Sequence, residues 1–344
     1  MPPQLDVLYI NGDASKPQCS VYEAGKNYFE ALSLSSLCEI EYIDFNNTAP
    51  KGYSGPSIME VDLPDPSEYD LAIFNYASGP MSNIPLEYVK MAKKSMAITN
   101  DMYYESPWGF DCAMVSADTN GIRVQRPAEK VFDFVGFPDP TYGTDDPTVC
   151  VLPRVCPRAK VYPWNHNPPI ISTYGFPSPE KQLHLVTQII NNEFDKAIWR
   201  MHFPVASHQG GDMPNWQYNV FKECESICKP GIKMEYSTEY FSRDDLIGWL
   251  AESDLNVFLH HPDRFYITKG ALPASIDLAI SAQRPIAFSD SMENRHVMAY
   301  QPPYPQWSFK ETMYNGHLAV LEMYGAWSPA NFAETFDNFI KDVI

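Results

Sequence analysis

Apolar and polar positions along this chain follow two periods that take turns. Short apolar runs of strand length occur at 5-LDVLYI-10, 39-EIEYIDF-45, 70-DLAIFNY-76 and 96-MAITN-100. Between them, 20-SVYEAGKNYFEAL-32 and 85-PLEYVKMAKKS-95 carry a helical period, the second opening on a proline, which a first helical turn tolerates. Strand, helix and strand in repetition predict a parallel sheet with crossover helices.

The second half repeats the pattern. The segments 170-IISTYGF-176, 196-KAIWRMHF-203, 254-DLNVFLH-260 and 285-PIAFSDS-291 read as strands. Between them, 179-PEKQLHLVTQIINNEF-194 places Leu183, Val186, Ile190 and Phe194 on one helical stripe. Ser242, with Asp245 three residues on, forms a capping pattern that opens a helix over 243–253. At the end, Ser328-Pro329 starts a helix with Phe332, Phe336, Phe339, Ile340 and Val343 on one face. The Pro-rich segment 136–169 reads as the connection between two α/β domains joined near residue 165.

Composition agrees with that size. A chain of 344 residues fits roughly two domains of 100–200 residues. With 44% hydrophobic and 14% aromatic residues it has ample material for buried cores. No run of about 18 apolar residues occurs, so no membrane span is expected. The start, MPPQLDVLYINGDAS, lacks a basic stretch leading into an apolar run, so a secretory signal is not expected either. The seven cysteines are odd in number and never form Cys-x-x-Cys, which points to reduced thiols and a cytoplasmic protein. The net charge of −18 argues against general affinity for phosphate backbones. The most basic stretch, with Arg123, Arg126, Lys130, Arg154, Arg158 and Lys160, is either a solvated strip or a local path for nucleic acid.

Ligands of open α/β sheets sit beyond the carboxyl ends of the strands, so the loops after each strand hold the candidate chemistry. In 269-KGALPASIDLAISAQRPIAFSDS-291, Gly270 allows a tight path and Ser275 falls in the first turn of a helix, whose unpaired N–H groups favour anions. Asp277 suits ribose hydroxyls. Ser275 as an ordinary cap and Asp277 as an acid favoured by the helix dipole fit equally well. The loop 175-GFPSPEK-181 also leads from a strand into a helix, and Lys181 in the first turn of that helix opposes its dipole unless an anion is near or it is a solvated surface lysine. Arg264, Lys269, Arg295 and His296 add cationic donors on the same side. Together these features suggest a nucleoside diphosphate. Neither Gly-x-Gly-x-x-Gly nor a Walker lysine loop occurs, which disfavours a dinucleotide oxidoreductase or a P-loop ATPase.

The runs 174-YGFPSPEKQLHLV-186, 242-SRDDLIGWLAESDLNVFLHH-261 and 270-GALPASIDLAISAQRPIAFSDS-291 resemble the C-terminal domain of GT-B glycosyltransferases, and more closely the retaining "glycosyl transferases group 1" branch. The resemblance implies two Rossmann-like domains facing across a cleft. They would be an acceptor-side domain over 1–165, a donor domain over 166–325, and a helix over 326–344 returning to the first. It implies a nucleotide sugar as donor, with Gly175, Phe176, Lys181, Arg264, Gly270, Ser275, Asp277, Arg295 and His296 around it. Lys181 would face the diphosphate, and Asp101 or Glu23 would contact sugar or acceptor. No cofactor or metal is implied, in keeping with the lack of an Asp-x-Asp motif in a suitable loop. The acceptor stays open among a glycan, a small molecule and a modified nucleic-acid base.

The sequence departs from the branch at three places. Phe176 replaces its usual arginine, and its glutamate pair is missing: the positions fall near Lys269-Gly270 and at Leu278, beside Asp277. A binding-only relative of the fold is therefore the remaining alternative.

Overall fold

A computed structural model of the chain describes residues 4–11, 20–44, 63–76, 86–99, 114–118, 121–125, 131–157, 165–175, 181–204, 213–239, 241–261, 274–291 and 294–344. It divides into two compact units. The first holds the described residues through Val155 together with Trp327–Ile344; the second begins at Cys156 and runs to Ala326. The sequence reading placed the boundary later, at residue 165.

In the first unit, strands β1 (Leu5–Asn11), β2 (Cys38–Asp44), β3 (Leu71–Tyr76), β4 (Ser95–Thr99), β7 (Phe134–Pro138) and β9 (Val149–Leu152) form one sheet in the order β2-β1-β3-β4-β7-β9. Every pairing in it is parallel. The strands β5 (Met114–Asp118), β6 (Gly121–Gln125) and β8 (Tyr142–Gly143) make a small separate sheet. Along β1, Val7 and Tyr9 enter one core cluster while Leu8 and Ile10 enter another. Both faces of the sheet are therefore covered, which is why the strand reads as an unbroken apolar run.

Helix α1 (Ser20–Leu32) packs on the Val7 side, and α2 (Leu86–Met91) brings Tyr88 and Val89 to the other. The last helix of the chain, Pro329–Val343, belongs to this unit. Its Phe332, Phe336 and Ile340 join the cluster of Val7 and Tyr28, and the Tyr28 and Phe332 rings stack at 5.5 Å. Burying each such side chain contributes about 1.5–3 kcal/mol. Polar contacts fix the helix in rotation: Ser328 caps it, and Asp337 accepts hydrogen bonds from Ser35 and from the amide and hydroxyl of Ser36.

The Pro-rich segment corrects one expectation. It is not merely a connection, because β7 and β9 extend the first sheet with buried Val135, Phe137, Cys150 and Leu152. Pro138 ends β7 and Pro153 follows β9. These are positions where a missing N–H does not interrupt the ladder.

In the second unit, β10 (Ile170–Tyr174), β11 (Ala197–His202), β12 (Ile232–Ser237), β13 (Leu255–Phe258) and β14 (Ile286–Phe288) form a parallel sheet ordered β12-β11-β10-β13-β14. The helices are α3 (Leu183–Glu193), α4 (Met213–Ile227), α5 (Arg243–Ala251), α6 (Ala274–Ser281), α7 (Arg295–Met298) and α8 (Phe309–Ala326), so the terminal helix is α9. The stripe Leu183, Val186, Ile190 and Phe194 is buried against Trp199 and Met201, as its spacing predicts. Ser242 accepts from the Asp245 amide and caps α5. Buried Asp254 anchors the segment that enters β10, accepting from the amides of His166 at 3.0 Å and Ile170 at 2.7 Å. Of the described cysteines, Cys38, Cys150, Cys156 and Cys224 are buried and Cys228 is half-buried.

Candidate functional site

The chain leaves β10 for β11 and β12 on one side of the second sheet, then returns for β13 and β14 on the other. Strand order thus reverses between β10 and β13, and a crevice for ligands opens beyond the carboxyl ends of strands at such a reversal.

Gly175 follows β10 there. Its φ of +111° is strained for any residue with a Cβ, and its amide donates to the His202 carbonyl at 3.2 Å. A Cβ at this position would lie 3.0 Å from Lys181 Nζ and 3.9 Å from Ser275 Cβ, so the missing side chain is also where these two residues converge. Lys181 is only 6% exposed, and its Nζ donates to the Tyr174 carbonyl at 2.7 Å. Burying an ammonium group is costly without hydrogen-bond partners. Here the last residue of β10 supplies one from its backbone.

One expectation needs correcting. Lys181 precedes α3 and does not lie in its first turn, because Gln182 takes the N-cap position with a left-handed φ of 50°. That conformation carries Lys181 back toward β10.

Ser275 lies in the first turn of α6, which begins at Ala274, so it is not the N-cap. Asp277 is buried, and its carbonyl accepts from the Ser281 hydroxyl at 2.8 Å and the Cys156 thiol at 3.7 Å. A fixed cation beside the N-terminal turn of an eight-residue helix is an arrangement that neutralises an anion.

Arg295 and His296 lie in α7, beyond β14, and both are buried. Sequence reasoning missed Asn294, which shapes the turn before them. Its fully buried amide donates to the Ser289 carbonyl at 2.9 Å and the Ser291 hydroxyl at 3.1 Å, while Ser289 Oγ accepts from the His260 amide at 3.1 Å. A lone asparagine in a loop carries no sequence signal of that role. Phe176, Arg264, Gly270 and Asp101 lie outside the described residues, as does the side chain of Glu23. Arg154, one of the six cations of the basic stretch, is buried and donates to the Pro138 carbonyl at 3.0 Å.

Sequence reasoning also missed His202 at the end of β11. Its ring stacks on Phe241 at 4.2 Å and 9° and on Tyr174 at 5.9 Å and 12°, with Trp249 tilted at 5.5 Å. Burial, helped by the neighbouring Arg200 guanidinium, pulls its pKa down to about 4, so the ring is neutral near pH 7.

The first sheet has its own reversal, between β1 and β3, and asparagines in register occupy it. Asn75 Nδ2 donates to Asn11 Oδ1 at 2.7 Å, and Asn11 Nδ2 to the Tyr42 hydroxyl at 3.3 Å. Gly25 of α1 lies directly over the pair: a Cβ there would collide with both amides.

No protein-family model and no curated sequence matches the chain. Solved structures are similar in fold. HepE from Anabaena, in complex with UDP and glucose, superposes with a TM-score of 0.57 at 9% identity, covering 99% of this chain and 100% of its own. The lipopolysaccharide outer core galactosyltransferase WaaB gives 0.57 at 10% identity, again over 99% and 100%. The E. coli trehalose-6-phosphate structure bound with UDP-2-fluoro glucose gives 0.55 at 9% identity, over 98% and 99%. The chain therefore has the GT-B fold, as the sequence resemblance implies. Among the described residues, no helix is long and apolar enough to cross a membrane.

Proposed function

We propose that this protein is a glycosyltransferase that moves a sugar from a nucleoside diphosphate sugar to an acceptor. The observation that carries the reading is the convergence of Lys181 on Gly175 and Ser275 at the strand-order reversal of the second sheet. When the bond between the anomeric carbon and the phosphate oxygen breaks, negative charge develops on the leaving diphosphate. A preorganised ammonium and a helix N-terminus aimed at that charge stabilise the transition state more than the ground state. On this reading Lys181 faces the diphosphate, and Asp277 is reserved for the ribose. Such a device works without a divalent metal. Arg264 or Arg295 would stand in for the arginine that Phe176 replaces.

Uridine nucleotides are the first donors to try, because HepE and the E. coli protein were solved with UDP or a UDP-sugar. Retention of anomeric configuration rests on the sequence resemblance. It is checked by NMR of the first product formed.

The deciding experiment is calorimetric titration with UDP, GDP, ADP and CMP without added metal, on wild type and Lys181→Ala. Micromolar binding of one nucleotide, lost in the variant, supports the reading. A folded wild-type protein that binds none of the four overturns it.

A further inference from the structure

The ring stack around His202 is more elaborate than a strand end needs. His202 is 1% exposed, its Nδ1 has no hydrogen-bond partner among the described residues, and its ring makes three aromatic contacts. One face lies against Phe241, just ahead of the Ser242 cap of α5, and Tyr174 is stacked with the same ring. The Trp249 ring closes the side and carries the Arg200 guanidinium at 4.5 Å. Arg200 is held in turn by Glu252 at 3.3 Å and Glu235 at 3.7 Å.

Two connections lead from this stack to the lysine. The His202 carbonyl accepts from the Gly175 amide and so holds the backbone where it leaves β10. The Tyr174 ring rests on the stack while the Tyr174 carbonyl accepts from Lys181 Nζ. A neutral ring suits the place, since a cation there would repel the buried ammonium.

We infer that His202 is a positioning residue for Lys181, acting through Tyr174, with its aromatic faces as the working part. The step from Lys181 to diphosphate binding rests on the function proposed above. The step from His202 to Lys181 does not, and the experiment separates the two.

Acetylation with an N-hydroxysuccinimide ester forms an amide at an exposed lysine Nζ and releases N-hydroxysuccinimide; peptide mass spectrometry reads the rate at each lysine. Lys233, 71% exposed, serves as internal control. His202→Leu keeps the volume without the ring, and should raise the Lys181 rate by about tenfold, the scale of losing one hydrogen bond to a charged group. His202→Phe should leave that rate unchanged, and Lys233 should react alike in all three proteins. Equal Lys181 rates in wild type and His202→Leu overturn the inference. Should His202→Leu not fold, Phe241→Leu removes the ring stacked on His202 at 4.2 Å and is read in the same way.

If wild type binds UDP, His202→Leu should weaken binding but add nothing in a Lys181→Ala background, because both changes act through one group. Independent, additive losses would overturn the positioning role. If wild type binds no nucleotide, the proposed function fails while the Lys181 labelling still decides the inference.

Discussion

The two sheets of this molecule reverse their strand order in the same way and fill the reversal with opposite chemistry. In the first unit, Asn11 and Asn75 join across β1 and β3 beneath Gly25, and both are buried. In the second, Gly175 makes room for a buried lysine beside a helix N-terminus. A glycine is essential at both places for different reasons. Gly25 lets a helix close down on a neutral amide pair; Gly175 lets a backbone turn and a cation share one space. A topological switch point is thus an opportunity, and the side chains decide whether it is plugged or charged.

Removing the charge should have the largest effect. Lys181→Ala is expected to weaken nucleotide binding about a hundredfold, the loss of a desolvated cation with its hydrogen bonds. Asn75→Ala, at the equivalent place in the first unit, should leave nucleotide affinity unchanged and lower the melting temperature. Calorimetry and thermal unfolding of the two variants side by side check the contrast. A nucleotide affinity that falls in Asn75→Ala would mean that the first switch point is not just a plug.

The two glycines give the next largest effect. Gly25→Ala forces a methyl group into an amide pair whose hydrogen bond leaves it little freedom, and should destabilise the protein by about 2–3 kcal/mol, the cost of overpacking a core. Gly175→Ala meets a positive φ and the Lys181 ammonium at 3.0 Å. About 2 kcal/mol is expected there, from backbone strain and displaced Lys181 together, with nucleotide binding weakened as well. Denaturant unfolding gives the first quantity for each, and titration with UDP shows which variant also loses affinity. Gly25→Ala should not.

Much of this comparison was legible in the sequence, for identifiable reasons. Gly175 and Lys181 follow a strand whose apolar run is unmistakable, and the rule that ligands gather at strand ends leads to their loop, while Ser275 is read from the start of its helix. The helix Pro329–Val343 announces itself through the Ser328-Pro329 start and its phenylalanine spacing. What stayed hidden depends on neighbours distant in sequence. Asn11 and Asn75 matter because β1 pairs with β3, and His202 because Tyr174 and Phe241, far from it in sequence, both stack on its ring. Strands β7 and β9 hid behind prolines, and α8 behind Gly316 and Gly325, which lower helix propensity without preventing a helix that packs well.

The smallest effect comes from pH, to which the two switch points should respond differently. The Asn11–Asn75 pair does not titrate. His202 does, with a folded-state pKa near 4 against an ordinary 6.5. Because the folded pKa is depressed, the unfolded chain binds more protons than the folded one between those values, so stability rises with pH across that window. His202 therefore contributes fully above pH 6.5, and its contribution drains away as pH falls toward 4. A shift of this size corresponds to at most about 3 kcal/mol, and solvent screening and relaxation around a ring at a strand end reduce it to about 1–2 kcal/mol. Carboxylates titrate in the same range, but they do so equally in wild type and in His202→Phe. The difference between the two proteins in denaturant-unfolding stability isolates the histidine: His202→Phe should be at least as stable as wild type at pH 7 and gain on it steadily down to pH 4. Parallel stability curves would mean that the imidazole takes up its proton in the folded protein as readily as in water. The stack would then be open enough to admit solvent.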